Sequence, residues 1–347
     1  MTHPQSACGV PPQGSAPSGP AEPVPRRQLR GPEVRQPRRV LHGVLLLDKP
    51  LGWTSNDALQ KAKGILRALK GGHTGTLDPL ATGLLPLCFG AATKFSQASL
   101  DADKRYTATL HLGQRTSTGD REGEVVEERA VAVDRAAIKA ACARLTGPID
   151  QVPPMHSALK YEGKALYEYA RAGVEIERPS RRVTIHAIDI LRWQDLELVL
   201  DVQCSKGTYI RTLAEDIGAA LGCGAHLSAL RRTGSGALDL NRAITLEALQ
   251  ALSETERDAM LLSPDVLVSA WPAVDLHDDE AGRFLTGLRR RVTLADTPAV
   301  RVYRRPPEPP DSPDDTPRDF LGTAHITAGE LIADRLLSPI EVQDLRA

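Results

Sequence analysis

The stretch KGGHTGTLDPLATGLLP, Lys70 to Pro86, holds a single acidic side chain, Asp78, directly before Pro79. A proline pushes the preceding residue out of the helical region, so the Asp78 backbone is restricted and its side chain is aimed. Small residues flank it, which lets a bulky ligand come close. No second acid stands beside it, as two-carboxylate glycoside hydrolysis would need. A lone, aimed carboxylate suits covalent catalysis or charge stabilisation. The same residues also describe an ordinary Asp-Pro turn, and spacing alone does not separate the two. Phosphate-cradle readings fail: the stretch lacks the G-K-[ST] ending of a P-loop and the G-x-G-x-x-G spacing of a dinucleotide fold.

The elements that must position Asp78 are legible around it. In GVLLLDKPLGWTS, Val44 to Leu47 reads as a buried strand closed by Pro50 and Gly52. Thr54 and Asp57 form a capping-box pattern. Ala58, Ala62, Ile65, Leu66 and Leu69 follow at helical spacing. KRYTATLHLG alternates, with Tyr106, Ala108, Leu110 and Leu112 on one face. LELVLDVQC alternates too, with Leu196, Leu198, Leu200, Val202 and Cys204 on one face, and runs into a helix stopped at Gly222. FLGTAHI and ELIADRLL flank a turn at Thr327–Glu330. Alternating strands mixed with helices, without a regular βαβ repeat, predict an α+β protein.

Composition sets bounds. The 347 residues suffice for one large domain and a small one. Net charge is −1, so any polyanion must meet a local basic patch, not a global field. Cys8, Cys88, Cys142, Cys204 and Cys223 are odd in number, widely spaced and without a C-x-x-C, which reads as reduced thiols and no zinc site. No apolar run has the length of a membrane span, and a cytoplasmic location is expected. Residues 1–40 are basic and rich in Pro, Gly and Ser, so a disordered arm is expected there. They are acid-poor, as organelle-targeting segments are, but show no amphipathic helix among the prolines. A second Pro-rich segment near 305–319 reads as a disordered insertion.

GHTGTLDPLATGLLP resembles the signature motif of the TruB type of pseudouridine synthases. Further blocks match in the family's order: LLLDKPLGWTSND, DKRYTATLHLGQRTSTGDREGE, QVPPMHSALKYEGKALYEYARAG, CSKGTYIRTLAEDIG and GAHLSALRRTGSG. Together they span roughly residues 43–250, with a weaker match beyond. The resemblance implies a pseudouridine synthase fold with a mixed, largely antiparallel central sheet, over residues 41–262. It also implies a small β-rich, PUA-like RNA-binding domain over 270–347. The implied activity is isomerisation of uridine at position 55, in the T arm of tRNA, with no cofactor and no metal. The implied partner is the T-arm stem-loop alone, met by a monomer without guide RNA, protein partner or membrane.

Residue roles carry over by the same resemblance. Asp78 is the candidate nucleophile, Arg211 the cation that keeps it ionised under bound RNA, and Tyr106 a stacking platform or proton-transfer group. Tyr209 and Leu230 line the uracil pocket, and His73 contacts the flipped nucleotide. Lys49 and Asp120 match motif positions and are expected at the substrate side as loop organisers. Each has a plainer reading on pattern alone: a helix-surface arginine, a core tyrosine, a core leucine, a structural histidine. His156 stands where an aromatic residue is expected. Lys160, Lys164, Arg171, Arg178, Arg181, Arg182, Lys206, Arg231 and Arg232 supply local positive charge for RNA phosphates. Two other classes remain open on the sequence: an RNA-binding or RNA-folding protein on the same scaffold, and a guide-RNA-dependent relative.

Overall fold

The computed structural model describes residues 37–305 and 318–346. The arm expected over 1–40 and the insertion near 305–319 fall, for residues 1–36 and 306–317, outside the described residues.

From Arg38 on, the chain folds as one unit. It opens with β1 (Gly43–Lys49), α1 (Ser55–Ile65), β2 (Gly71–His73), β3 (Ala81–Phe89), α2 (Ser96–Asp101) and β4 (Lys104–Leu112). A hairpin, β5 (Gln114–Thr116) and β6 (Val125–Glu128), leads to α3 (Arg135–Arg144) and β7 (Gly147–Gln151). A second hairpin, β8 (Lys160–Tyr161) and β9 (Lys164–Ala165), precedes α4 (Leu166–Arg171). Then come β10 (Arg181–Gln194), β11 (Glu197–Cys204), α5 (Ile210–Leu221), β12 (Ala225–Ser235), β13 (Leu238–Asp239), α6 (Leu246–Ala251) and α7 (Glu254–Ala259). The last part holds β14 (Ala273–Leu276), α8 (Asp278–Leu285), β15 (Arg290–Arg291), β16 (Thr297–Arg304), β17 (Asp319–Thr327), β18 (Glu330–Leu336) and α9 (Pro339–Asp344).

The large sheet runs β1-β3-β12-β4-β11-β10-β7, with β2 beside β3 and β13 beside β12. All of its pairs are antiparallel except β3 with β12. The smaller sheet runs β14-β16-β17-β18-β15. This is the α+β architecture expected from the alternating runs.

The apolar run of β1 reads as it does because both of its faces are buried. Leu45 and Leu47 pack under α1 and α6 with Leu85, Leu87 and Phe89. Val44 and Leu46 pack on the opposite face with Leu84 and Cys88. That second cluster continues without a break into Val300, Val302, Phe320 and Leu321 of the smaller sheet, so the two sheets share one core. Cys88, Cys142, Cys204 and Cys223 are buried free thiols. Helix α1 is capped by Thr54, whose Oγ1 accepts from the Asp57 amide at 3.1 Å. Leu69, expected on its apolar face, is instead 56% exposed: the helix has ended, and Arg67 turns the chain with φ of +53°.

The parallel β3–β12 contact beside the site is close. Gly83 has φ of +97°, and a Cβ there would lie 2.3 Å from the Arg232 carbonyl oxygen. Gly83→Ala is expected to cost roughly 2–4 kcal/mol through backbone strain and overpacking. Urea unfolding checks this; a loss under about 0.5 kcal/mol would mean that the strands separate easily.

Candidate active site

The loop from Thr74 to Leu80 joins β2 to β3 and carries Asp78. Its main chain is tied down at almost every residue. Leu77 donates its amide to Ser55 Oγ at 2.7 Å, and that hydroxyl donates to the Leu77 carbonyl at 3.0 Å. The Asp78 carbonyl accepts from the Ala81 amide at 3.0 Å, and the Pro79 carbonyl accepts from the Gly52 amide at 2.9 Å. The Gly75 carbonyl accepts from Arg232 Nη2 at 3.0 Å. The Asp78 carboxylate is the loop's free end. Its side chain is 46% exposed, and among the described residues its one close donor is Arg211 Nη2, 3.0 Å away.

Arg211 sits in the first turn of α5 with a side chain only 6% exposed. It is held from three sides. Asp120 Oδ2 lies 3.5 Å from Nη1, the Thr118 carbonyl accepts at 3.4 Å, and the His156 carbonyl accepts at 2.5 Å. Asp120 is itself buried and fixed: Thr118 Oγ1 donates to its Oδ1 at 2.6 Å, and the Glu122 amide donates at 3.1 Å. The guanidinium is thus preorganised by one buried carboxylate and offers its remaining edge to a second, accessible one.

Two cavities meet at Asp78. One, of about 270 Å³, is lined by Asp78, Tyr106, Tyr209, Leu230, Arg211 and Arg232. The other, of about 540 Å³, is lined by Asp78, His73, Asp120, His156, Tyr167 and Arg171. Tyr106 projects from β4, and burial pushes its hydroxyl above the ordinary value, an effect that Arg232 opposes. Leu230 comes from β12, in register with Ala108 of β4 and Ala81 of β3. Tyr209 caps α5; its amide donates to Gln151 Oε1 at 3.0 Å, and Gln151 Nε2 donates back to its carbonyl at 3.4 Å. His73 lies in the larger cavity with Nδ1 buried and unpartnered. Burial, then the Arg232 charge, push its imidazole below the ordinary value, so at neutral pH it is the uncharged ring.

The site therefore gathers Asp78, Arg211, Tyr106, Tyr209, Leu230, His73 and Asp120. Lys49 differs. It is fully buried, and its ammonium donates to the Pro50 carbonyl at 3.0 Å and the Trp53 carbonyl at 2.6 Å. Burial pushes it down to about 8. It shapes the loop before α1 and has no face open to a ligand. Among the cations expected to meet phosphates, Lys160, Lys164, Arg171 and Arg181 are exposed, and Arg182 and Lys206 are exposed but ion-paired with Asp150 at 3.4 Å and Asp101 at 2.8 Å. Arg232 is 1% exposed, and Arg231 is paired with Asp48 at 2.6 Å, so neither is a free surface charge. The strand period carries the signal for the first: Leu230 and Arg232 are two apart, hence on one face of β12. Gln151 carried no local signal at all. Among the described residues no three His, Cys, Asp or Glu side chains converge on a metal-sized site, and no helix is long and apolar enough to cross a membrane.

Residues 63–210 match the TruB family pseudouridylate synthase (N terminal domain), and residues 211–269 match the tRNA pseudouridylate synthase B C-terminal domain. A protein named tRNA pseudouridine synthase B from Ralstonia pickettii is 60% identical over 287 residues, covering 81% of this chain and 88% of its own. One of the same name from Cupriavidus pinatubonensis is 57% identical over 316 residues, covering 87% and 96%. Among solved structures, a chain in the crystal structure of a Cbf5–Nop10–Gar1 complex superposes with a TM-score of 0.66 at 25% identity, covering 87% of each chain.

Proposed function

The chain belongs to the TruB family of pseudouridine synthases, and on that premise we propose that it isomerises uridine to pseudouridine at position 55, in the T arm of tRNA, with Asp78 as nucleophile. Its fold is the pseudouridine synthase fold with a PUA-like β module at the C-terminus. The observation that carries the site assignment is the Asp78 carboxylate at the junction of two cavities, held by Arg211 and, among the described residues, by no backbone amide.

The reaction detaches uracil from C1′, turns it, and rejoins it through C5. The smaller cavity is bounded on its sides by Tyr106, Tyr209 and Leu230, which suits a flat ring that must be retained between bond cleavage and bond formation. The nucleotide must leave its stack to enter, at a cost of a few kcal/mol. Phosphate contacts from Lys160, Lys164, Arg171, Arg181, Arg182 and Lys206 offset that cost. The C-terminal sheet is proposed as a second RNA-contacting surface. The enzyme acts on bare tRNA, without guide RNA.

The test is tritium release from C5-labelled uridine in a T-arm transcript with purified protein alone. A transcript carrying cytidine at position 55 must release none; release from it would move the target elsewhere. Tyr106→Phe separates stacking from proton transfer. It is expected to keep RNA affinity within about threefold while lowering release by about 10²–10³-fold. An unchanged rate would leave Tyr106 as a platform only.

A further inference from the structure

Arg232 is the largest fully enclosed side chain among the described residues, and none of their carboxylates lies within ion-pairing distance of it. A buried charge without a counter-ion is costly, so its surroundings decide what it acts on. Nε donates to the Leu84 carbonyl at 2.7 Å and Nη2 to the Gly75 carbonyl at 3.0 Å. These bonds fix the guanidinium plane between β3 and the Asp78 loop. Across the sheet Arg232 pairs directly with Tyr106, and both line the smaller cavity with Asp78 and Leu230. The guanidinium charge acts on Tyr106, and on His73, Lys49 and Lys104 as well.

We propose that Arg232 is a positioning residue for the isomerisation: its uncompensated guanidinium holds the Tyr106 oxygen over the pocket and stabilises it as the acceptor of the C5 proton. This rests on the reading above, in which the pocket isomerises uridine and Tyr106 takes part in proton transfer. In that step the C5–H bond breaks and its electron pair closes the C5=C6 bond. The former C6=N1 pair moves to N1, which takes a proton from water. The C5 proton passes to the Tyr106 phenolate oxygen and returns to water when product leaves.

The charged and titratable groups facing Tyr106 are few. Arg232 comes from β12, Cys204 from β11 and Asp78 from the loop before β3; Lys104 of β4 and Tyr209 and Arg211 at the start of α5 line the same cavity, Arg211 being paired with Asp78 and Asp120. Burial opposes the phenolate most strongly, with Cys204 and Asp78 on the same side, and Arg232 favours it. Lys104 is committed elsewhere: its ammonium donates to the carbonyls of Ser99, Leu100 and Ala102 at the end of α2. Arg232 is therefore the group whose removal changes the balance at the hydroxyl.

The test is a double-mutant cycle on single-turnover tritium release. Arg232→Gln is expected to slow release about 10–100-fold in the wild-type background and by less than about threefold in the Tyr106→Phe background. Its rate should also climb with pH over a more alkaline range than the wild type, because removing the cation makes the phenolate harder to form. Arg232→Lys should recover most of the lost rate. Losses that multiply, with an unmoved pH profile, would overturn the proposal while leaving the reading of the pocket intact. If Tyr106→Phe alone loses nothing, the reading of Tyr106 fails first, and the proposal with it. Should Arg232→Gln not fold, a different neutral side chain is used. A second uncharged replacement then carries the same cycle: Arg232→Met fills the enclosed space without the charge, and the same coupled or multiplying losses decide.

Discussion

Asp78→Asn is expected to lower isomerisation by at least about 10⁴-fold while T-arm affinity changes less than about threefold. Asparagine has nearly the shape of aspartate but is a poor nucleophile, so the bond to the nucleoside does not form. The fold should tolerate the change. Arg211 keeps Asp120, the Thr118 carbonyl and the His156 carbonyl, and the loop around residue 78 is held by its main chain. In the proposed reading RNA affinity comes from exposed cations outside the two cavities' junction, which offset the cost of everting the nucleotide, and neither needs the carboxylate. Any capacity to open the tRNA elbow should persist in this variant, which separates catalysis from RNA folding. Product analysis of digested transcripts, with filter binding on the same protein, reads both quantities. Turnover within tenfold of the wild type would remove Asp78 from the chemistry.

Arg211→Ala carries the second large effect. Asp120 is buried with the guanidinium as its charge partner, and removing one member of a buried pair costs about 3–5 kcal/mol of stability. Asp78 is half-exposed, so its own share of that loss is screened by solvent. Turnover is expected to fall about 10²–10³-fold, with RNA affinity changed only a few-fold. Arg211→Lys restores the charge but not the fork. One ammonium cannot reach Asp78 and Asp120 together with the Thr118 and His156 carbonyls, so it should recover only part of the rate. If the lysine variant turns over like the wild type, the geometry of the fork is irrelevant and only its charge matters.

Much of this arrangement is legible in the chain. The Val44–Leu47 run predicts a strand buried on both faces, and Gly222 predicts the end of α5, where it takes φ of +78°. The turn at Thr327–Glu330 is made by Ala328 and Gly329, both left-handed. Local chemistry decides each of these. What stays hidden depends on partners far apart in sequence. Asp120 reaches Arg211 because the bridge from Asp120 to Leu227 brings its loop over α5, and no local pattern encodes that pairing. Gln151 holds Tyr209 across 58 residues. The shared core under the smaller sheet likewise needs the tertiary fold, since Phe95 and Phe320 meet ring to ring at 5.0 Å. Arg232 is the instructive case. Its charge suggests the surface, while its place two residues after Leu230 on a strand puts it in the pocket wall, and the period is the better guide.

The most direct measurement is a crystal structure of the Asp78→Asn protein bound to a T-arm hairpin. An everted uridine is expected, with its ring beside Tyr106 and Leu230. The side-chain oxygen at position 78 should lie about 3–3.5 Å from C1′ or C6, the reach of a nucleophile poised for attack. A uridine still stacked in the hairpin, or one bound with residue 78 beyond reach of either carbon, would contradict it.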